Sequence, residues 1–237
     1  LIIGNSEYDN EDIPDLDAPV NDARAISKVL KNKYNFITSL LENATRGEIL
    51  DKMQEINSKL NRDDNLLVYY AGHGEYIVEQ KRGYWLPRDA HSTKRSTWIN
   101  TQTIVDEIKL TQAKHVLLLV DSCFSASLTR GNKSKNLNIK KDSKDYEIFN
   151  RKYARIIITS GGNERVVDSD GRGRSYFSRK LEQMLKENKP GQVLTSYEIF
   201  LPIHRYVVDN AKQNPERDTI KETGHDGGDF LFFAKLE

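Results

Sequence analysis

Of 237 residues only one, Cys123, is cysteine, and the 36 basic side chains are nearly cancelled by 35 acidic ones, leaving a net charge of +1. Each shortage excludes something. One thiol cannot make an internal disulfide or a multi-cysteine metal site, and it fits a reducing compartment, so a cytoplasmic location is expected. A charge this close to zero gives no general electrostatic grip on nucleic acid or on an anionic membrane. No apolar stretch approaches the ~20 residues that span a bilayer, and no charged-then-apolar leader is visible. The chain opens at Leu1-Ile2-Ile3-Gly4-Asn5, which reads as a strand joined part-way, so a trimmed N-terminus is expected. With 37% hydrophobic and 30% charged residues, the sequence suits one large soluble domain over 1–237 that buries its core without staples.

Two apolar runs stand out. Leu66-Leu67-Val68-Tyr69-Tyr70-Ala71-Gly72-His73-Gly74 ends in a histidine, and Val116-Leu117-Leu118-Leu119-Val120-Asp121-Ser122-Cys123 ends in the lone thiol. Both are continuously apolar rather than alternating, as strands buried on both faces of a parallel sheet are. Around them the spacing predicts strands at Phe36–Leu41 and Ala154–Ser160, and a final one at Asp229–Leu236. It predicts helices at Asn21–Leu30, Thr101–Leu110, Ser175–Leu185 and Ser196–Ala211, and one opened by a capping box at Thr45-Arg46-Gly47-Glu48. Alternating strands and helices give an α/β fold, a mostly parallel sheet with helices on both faces. Thr129–Lys152, rich in Lys, Asn and Ser with few apolar residues, reads as a long mobile linker between a larger and a smaller part.

In open α/β sheets ligands bind at the carboxyl ends of the strands, where both runs place their reactive residue. A thiol becomes a strong nucleophile once an imidazole takes its proton. Strands lie about 4.8 Å apart, so His73 and Cys123 can meet if their strands are neighbours. Gly72 and Gly74 permit a tight bend, and the amides of Gly74 and Cys123 are candidates for an oxyanion hole. Taken singly, a lone strand-end cysteine is usually a small hydrophobe and a lone histidine is usually structural. It is their pairing at two strand ends that points to catalysis.

The segments Tyr70-Ala71-Gly72-His73-Gly74 and Asp121-Ser122-Cys123-Phe124-Ser125-Ala126 resemble the caspase-like cysteine peptidases, in the branch of the metacaspases and their bacterial relatives. The roughly 50-residue spacing of histidine and cysteine agrees. Ile3-Gly4-Asn5, Val20-Asn21-Asp22-Ala23 and Trp85-Leu86-Pro87-Arg88-Asp89-Ala90 extend the likeness over most of the chain. The resemblance implies a three-layer sandwich with about six strands and a single peptidase domain. That domain has a large part at about 1–128, a linker at about 129–152 and a small part at about 153–237. It implies hydrolysis of a peptide bond through an acyl-enzyme, with Cys123 attacking and His73 managing protons; no third triad member is obvious.

Asp121, two residues before Cys123 in a strand, points to the same side as the nucleophile. In metacaspases the matching aspartate, with one from the Asn-Asp segment near the start, binds a basic P1 side chain. The counterparts here are Asp121 and Asp22, which implies cleavage after Arg or Lys. Asp22 also suits a helix N-terminus. Ala71 stands where relatives often carry serine. Arg130, Lys133, Lys135, Lys140, Lys141, Arg151 and Lys152 make the linker a candidate for self-processing. No cofactor is expected. Phe124–Asn132 lacks acids and Asp168-Ser169-Asp170-Gly171 is too sparse for an EF-hand loop, so calcium dependence is not predicted. Gly171-Arg172-Gly173-Arg174 is a small basic loop that could line a substrate groove, while Gly224-His225-Asp226-Gly227-Gly228-Asp229 reads as a polar turn. The expected partners are protein or peptide substrates, with fused or associated regulatory domains. Three alternatives remain: a silent caspase-like interaction module, a caspase-like peptidase with another P1 preference, and a different cysteine hydrolase or transferase.

Overall fold

A computed structural model describes residues 1–122, 143–161, 171 and 173–236. The elements run in the order β1 (Ile2–Gly4), α1 (Pro19–Tyr34), β2 (Leu40–Glu42), α2 (Arg46–Lys59), β3 (Asn65–Ala71), β4 (Gly74–Ile77), β5 (Arg82–Trp85), β6 (Ile99–Asn100) and α3 (Thr101–Leu110). They continue with β7 (His115–Asp121), α4 (Ser143–Arg151), β8 (Ala154–Thr159), α5 (Tyr176–Glu187), β9 (Val193–Thr195), α6 (Ser196–Ala211), β10 (Glu216–Thr219) and β11 (Leu231–Phe233). Six strands form the central sheet in the order β10-β8-β7-β3-β1-β2. All neighbours are parallel except the β10–β8 edge pair. The α/β expectation, a mostly parallel sheet of about six strands, is met.

The two faces of the sheet bury separate cores, and the strand period of two sorts side chains between them. Leu67, Tyr69 and Ala71 of β3, with Leu117 and Leu119 of β7, pack against Ala23, Ile26 and Leu30 of α1, Phe177 and Leu181 of α5 and Ile203 of α6. Leu66, Val68 and Tyr70, with Val116, Leu118 and Val120, pack against Ile49 and Met53 of α2 and Ile104 and Ile108 of α3. This two-sided burial is why β3 and β7 lack alternation. The capping box forms: the Glu48 N–H donates to Thr45 Oγ1 at 3.3 Å and the Thr45 N–H to Glu48 Oε2 at 2.8 Å.

Four expectations need correction. The strand expected at Phe36–Leu41 is the shorter β2, Leu40–Glu42. The linker is not irregular throughout, because Ser143–Arg151 is helical. Tyr146 and Phe149, three apart, are half-buried, and Arg151 pairs with Glu147 one turn back at 3.4 Å. The stretch 129–142 of that expectation lies outside the described residues. The last strand is shorter than expected and pairs antiparallel with β9 in a separate two-stranded sheet. An edge strand, β10, was not anticipated, since Glu216-Arg217-Asp218-Thr219 carries no apolar signal.

At Gly4 the sheet and α1 come close: a Cβ there would lie 2.4 Å from the Pro19 carbonyl oxygen and 2.8 Å from Ala23 Cβ. Gly47, near the start of α2, has nothing within 4 Å of such an atom. Gly4→Ala should therefore lower unfolding stability by about 1–3 kcal/mol through overpacking. Gly47→Ala should leave it equal or raise it, by up to about 1 kcal/mol. Urea denaturation of the two variants checks the contrast, and equal effects would contradict the close approach.

Candidate active site

The register of β3 and β7 locates the site. Residues 65–71 pair one to one with 115–121, so Ala71 lies beside Asp121 and both strands end at one level. Immediately beyond, the Gly72 N–H approaches the Asp121 carbonyl at 3.4 Å. The histidine follows two residues after Ala71, and the cysteine two residues after Asp121. The strand-neighbour condition for a His–Cys meeting is thus satisfied. Cys123 itself, and with it half of the expected oxyanion pair, lies outside the described residues, while Gly74 opens β4 directly after the histidine.

His73 is held from several sides. Its backbone N–H donates to Tyr8 Oη at 2.8 Å, and Tyr8 in turn donates to the Asn5 carbonyl at 3.2 Å. Its carbonyl accepts from Tyr70 Oη at 2.7 Å and from the Leu86 N–H at 3.0 Å. Tyr70 is fixed by Trp85, which stacks on it with centroids 4.2 Å apart and planes 2° from parallel. Trp85 thus serves packing. Gly72 is required here: its φ is 153°, and a Cβ would meet Tyr70 Oη at 3.0 Å and Tyr8 Oη at 3.1 Å. The two phenols can reach the histidine backbone only because that atom is missing.

The imidazole itself is oriented by a backbone atom that sequence reading could not find. His73 Nε2 lies 2.8 Å from the Pro14 carbonyl oxygen. A carbonyl only accepts, so Nε2 carries the hydrogen, and in the neutral ring Nδ1 is left with the lone pair of a base. The tilted Tyr8 ring, 4.9 Å from the imidazole centroid, packs against it. The Pro14 carbonyl oxygen is thus the group that orients the His73 ring.

The two candidate specificity acids also converge. Asp121 lies on the sheet face that carries Leu117 and Leu119, and α1 and α5 cover that face. Ser175, the N-cap of α5, bridges the carboxylates: its N–H donates to Asp22 Oδ2 at 3.1 Å and its hydroxyl donates to Asp121 Oδ2. The Ser175 hydroxyl oxygen also accepts the Ser178 N–H at 2.9 Å. Both acids are buried, Asp22 at 1% and Asp121 at 6% exposure.

A cation sits with them. Arg174 Nε donates to Asp22 Oδ1, Nη1 to Glu182 Oε2 at 3.1 Å, and Nη2 to Ser178 Oγ at 3.0 Å. Lys186 holds the other Glu182 oxygen at 2.7 Å. Burial pushes the Asp22 carboxyl up to about 6, more than Arg174 and the Ser175 N–H pull it down. Burial, followed by Asp121 and Asp22, drives the nearby Tyr69 phenol well above its usual range. Sequence reading placed Arg174 in a basic loop but could not pair it with Asp22, 152 residues away.

Among the described residues no cluster of three or more His, Cys, Asp or Glu could hold a metal ion, and no helix is long and apolar enough to cross a membrane. His115 is buried and structural, at 2.7 Å from Asn65 Oδ1 and 3.1 Å from the Lys152 carbonyl. His225 accepts the Arg155 N–H at 3.2 Å.

The family model for the caspase domain, peptidase family C14, matches residues 1–223. The chain belongs to the caspase-domain family of cysteine peptidases. The fold is similar to that of the protein GSU0716 from Geobacter sulfurreducens, with a TM-score of 0.63 and 15% identity over 95% of each chain. It is also similar to caspase-1 from Spodoptera frugiperda, with a TM-score of 0.65 and 16% identity over 92% of this chain and 84% of the other. No curated protein sequence matches the chain.

The raised Asp22 carboxyl has a consequence for stability. Asp22 ordinarily titrates near 3.8, so between that value and about 6 the folded caspase domain holds a proton that the unfolded chain releases. Its contribution to stability is therefore present below about pH 4 and lost as the pH rises through about 6. Asp22→Asn removes this titration. Urea unfolding at pH 4 to 7 should show the wild type losing stability relative to the variant as pH rises, and parallel profiles would count against it.

Proposed function

We propose that this caspase-family chain is a cysteine endopeptidase that cuts after arginine or lysine. The observation that carries the proposal is the common level at which β3 and β7 end, with the imidazole already oriented by Pro14. Cys123 sulfur attacks the scissile carbonyl while its proton passes to His73 Nδ1. The resulting imidazolium, stabilised by the Pro14 carbonyl through Nε2–H, gives its proton to the leaving amine, and a thioester remains. Water then releases the acid, with His73 as the base. The amides of Gly74 and Cys123 are proposed to hold the oxyanion, which is where such a donor pair lowers the barrier.

The P1 preference is supported by the buried acids. Ser175 bridges Asp22 and Asp121, and Asp22 already receives the guanidinium of Arg174, so the buried acids form a place where a cation is held. The matching aspartates in the metacaspases take the same part.

Self-processing is proposed for the basic residues between Arg130 and Lys141. Arg151 and Lys152 are poor sites, because a protease binds extended chain. Arg151 ends α4, and the Lys152 carbonyl lies against His115 Nε2.

Fluorogenic peptides that differ only at P1 test the proposal. Arginine and lysine peptides should be cleaved at least tenfold faster than aspartate or alanine ones, and Cys123→Ala should abolish the activity. Asp121→Ala should erase the preference for basic P1. Cleavage of no peptide, with the protein folded, would favour a silent interaction module. A preference for acidic P1 would overturn the assignment of the acids.

A further inference from the structure

We propose that Arg174 is a specificity-determining residue that acts as an internal occupant of the P1 cation site: an arginine substrate reaches Asp22 only by displacing it. The inference rests on the basic-P1 reading above and deepens it. The seat is built for a guanidinium. Each of its three nitrogens meets a different acceptor: Asp22, Glu182 and Ser178. A compact ammonium cannot span three separated acceptors, so the seat favours arginine over lysine. The same Asp22 that takes Arg174 on one oxygen takes the Ser175 N–H on the other, and Ser175 passes its hydroxyl to Asp121. The internal guanidinium thus touches one candidate P1 acid, Asp22, and stands one residue, Ser175, from the other.

The occupant is able to leave. Its side chain retains 19% exposure, whereas Asp22 beneath it is at 1%. It is carried by Gly173, with Gly171 shortly before, and both adopt left-handed backbone with φ of 68° and 78°. There is room about them, since a Cβ at Gly171 would meet nothing within 4 Å and one at Gly173 only Asn21 Nδ2 at 3.5 Å. The Gly173 carbonyl accepts from Asn21 Nδ2 at 3.3 Å, on the exposed side. Departure without replacement would strand Asp22 as a buried charge, which is unfavourable enough that the carboxyl would take up a proton instead. A neutral P1 side chain therefore cannot open the seat, whereas a guanidinium exchanges like for like. Arg174 excludes uncharged residues and lowers the affinity for the right one.

Steady-state cleavage of peptides with arginine, citrulline or lysine at P1, citrulline being the neutral shape mimic of arginine, tests this on the whole chain. For Arg174→Gln the KM for the arginine peptide should fall at least tenfold, with kcat little changed. The discrimination against citrulline should narrow. Arg174→Lys keeps the charge but loses the fork, so its KM should fall between the wild type and Arg174→Gln. Thermal unfolding establishes that each variant is folded, and if Arg174→Gln is not, the Arg174→Lys result decides. An unchanged or raised KM in a folded variant would overturn the occupant role, while arginine preference in the wild type would leave the P1 reading intact. Cleavage of arginine and citrulline peptides at equal rates by the wild type would instead sink the basic-P1 reading itself.

Discussion

Seven residues of β3 run in register beside seven of β7, and every feature of the site inherits its position from that pairing. A slip of one residue would turn Asp121 to the opposite face of the sheet, away from α1 and α5. It would also set the histidine and cysteine segments at different levels. The slip is prevented by burial on both sides. Leu117 and Leu119 must meet the helices of one face, and Val116, Leu118 and Val120 those of the other, with exposures of 0–1%. A continuously apolar strand has no polar alternation to set its register. Here the shapes of two different cores, one with Phe177 and Ile203 and one with Met53 and Ile108, do the specifying. Chemistry at the strand ends is thus fixed by packing in the strand middles.

The same economy governs the histidine. Its ring is held by Pro14 and its amide by Tyr8, both from the loop after β1, and its carbonyl by Tyr70 of β3 and by Leu86 just after β5. A base on a loop that moved freely would spend most of its time in unproductive rotamers. With both backbone groups and one ring nitrogen engaged, the remaining nitrogen has a defined direction and tautomer. Gly72 makes this possible by omission, since any larger residue would push one phenol away.

Much of this was legible in the sequence, and the parts that were not share a cause. The strands at 65–71 and 115–121 and the helices at 101–110 and 196–211 announce themselves through local apolar runs, periodicity and caps. The candidate reactive residues were read from the rule that ligands bind at the strand ends of such sheets. The anchoring of His73 by Pro14 uses a backbone carbonyl, which every residue has, so no residue type marks it. The Arg174–Asp22 pair joins positions 152 apart, and no local pattern encodes a contact of that range. Strand β10 is an edge strand of charged and polar residues, with no apolar run to mark it, that pairs antiparallel with β8. Helix α4 was hidden by its polar composition, though Tyr146 and Phe149 give it one half-buried face. The sequence speaks through side-chain chemistry at short range and is silent on backbone acceptors and distant ion pairs.

The distant pair also shows how the two parts of the domain make one site. Asp22 and Asp121 come from before the linker, whereas Arg174 and Ser175 come from after it. Neither part alone holds the bridged carboxylates. Yet their association does not depend on the intervening chain. β7 and β8 pair along six residues from opposite sides of the linker, and α1 packs on α5 through the shared core. A chain cut between positions 129 and 142 would keep these contacts, because hydrophobic burial and strand pairing require no covalent continuity. The bridge at Ser175 would survive with them. A cut there would therefore leave the Ser175-bridged carboxylates and their Arg174 partner as they are.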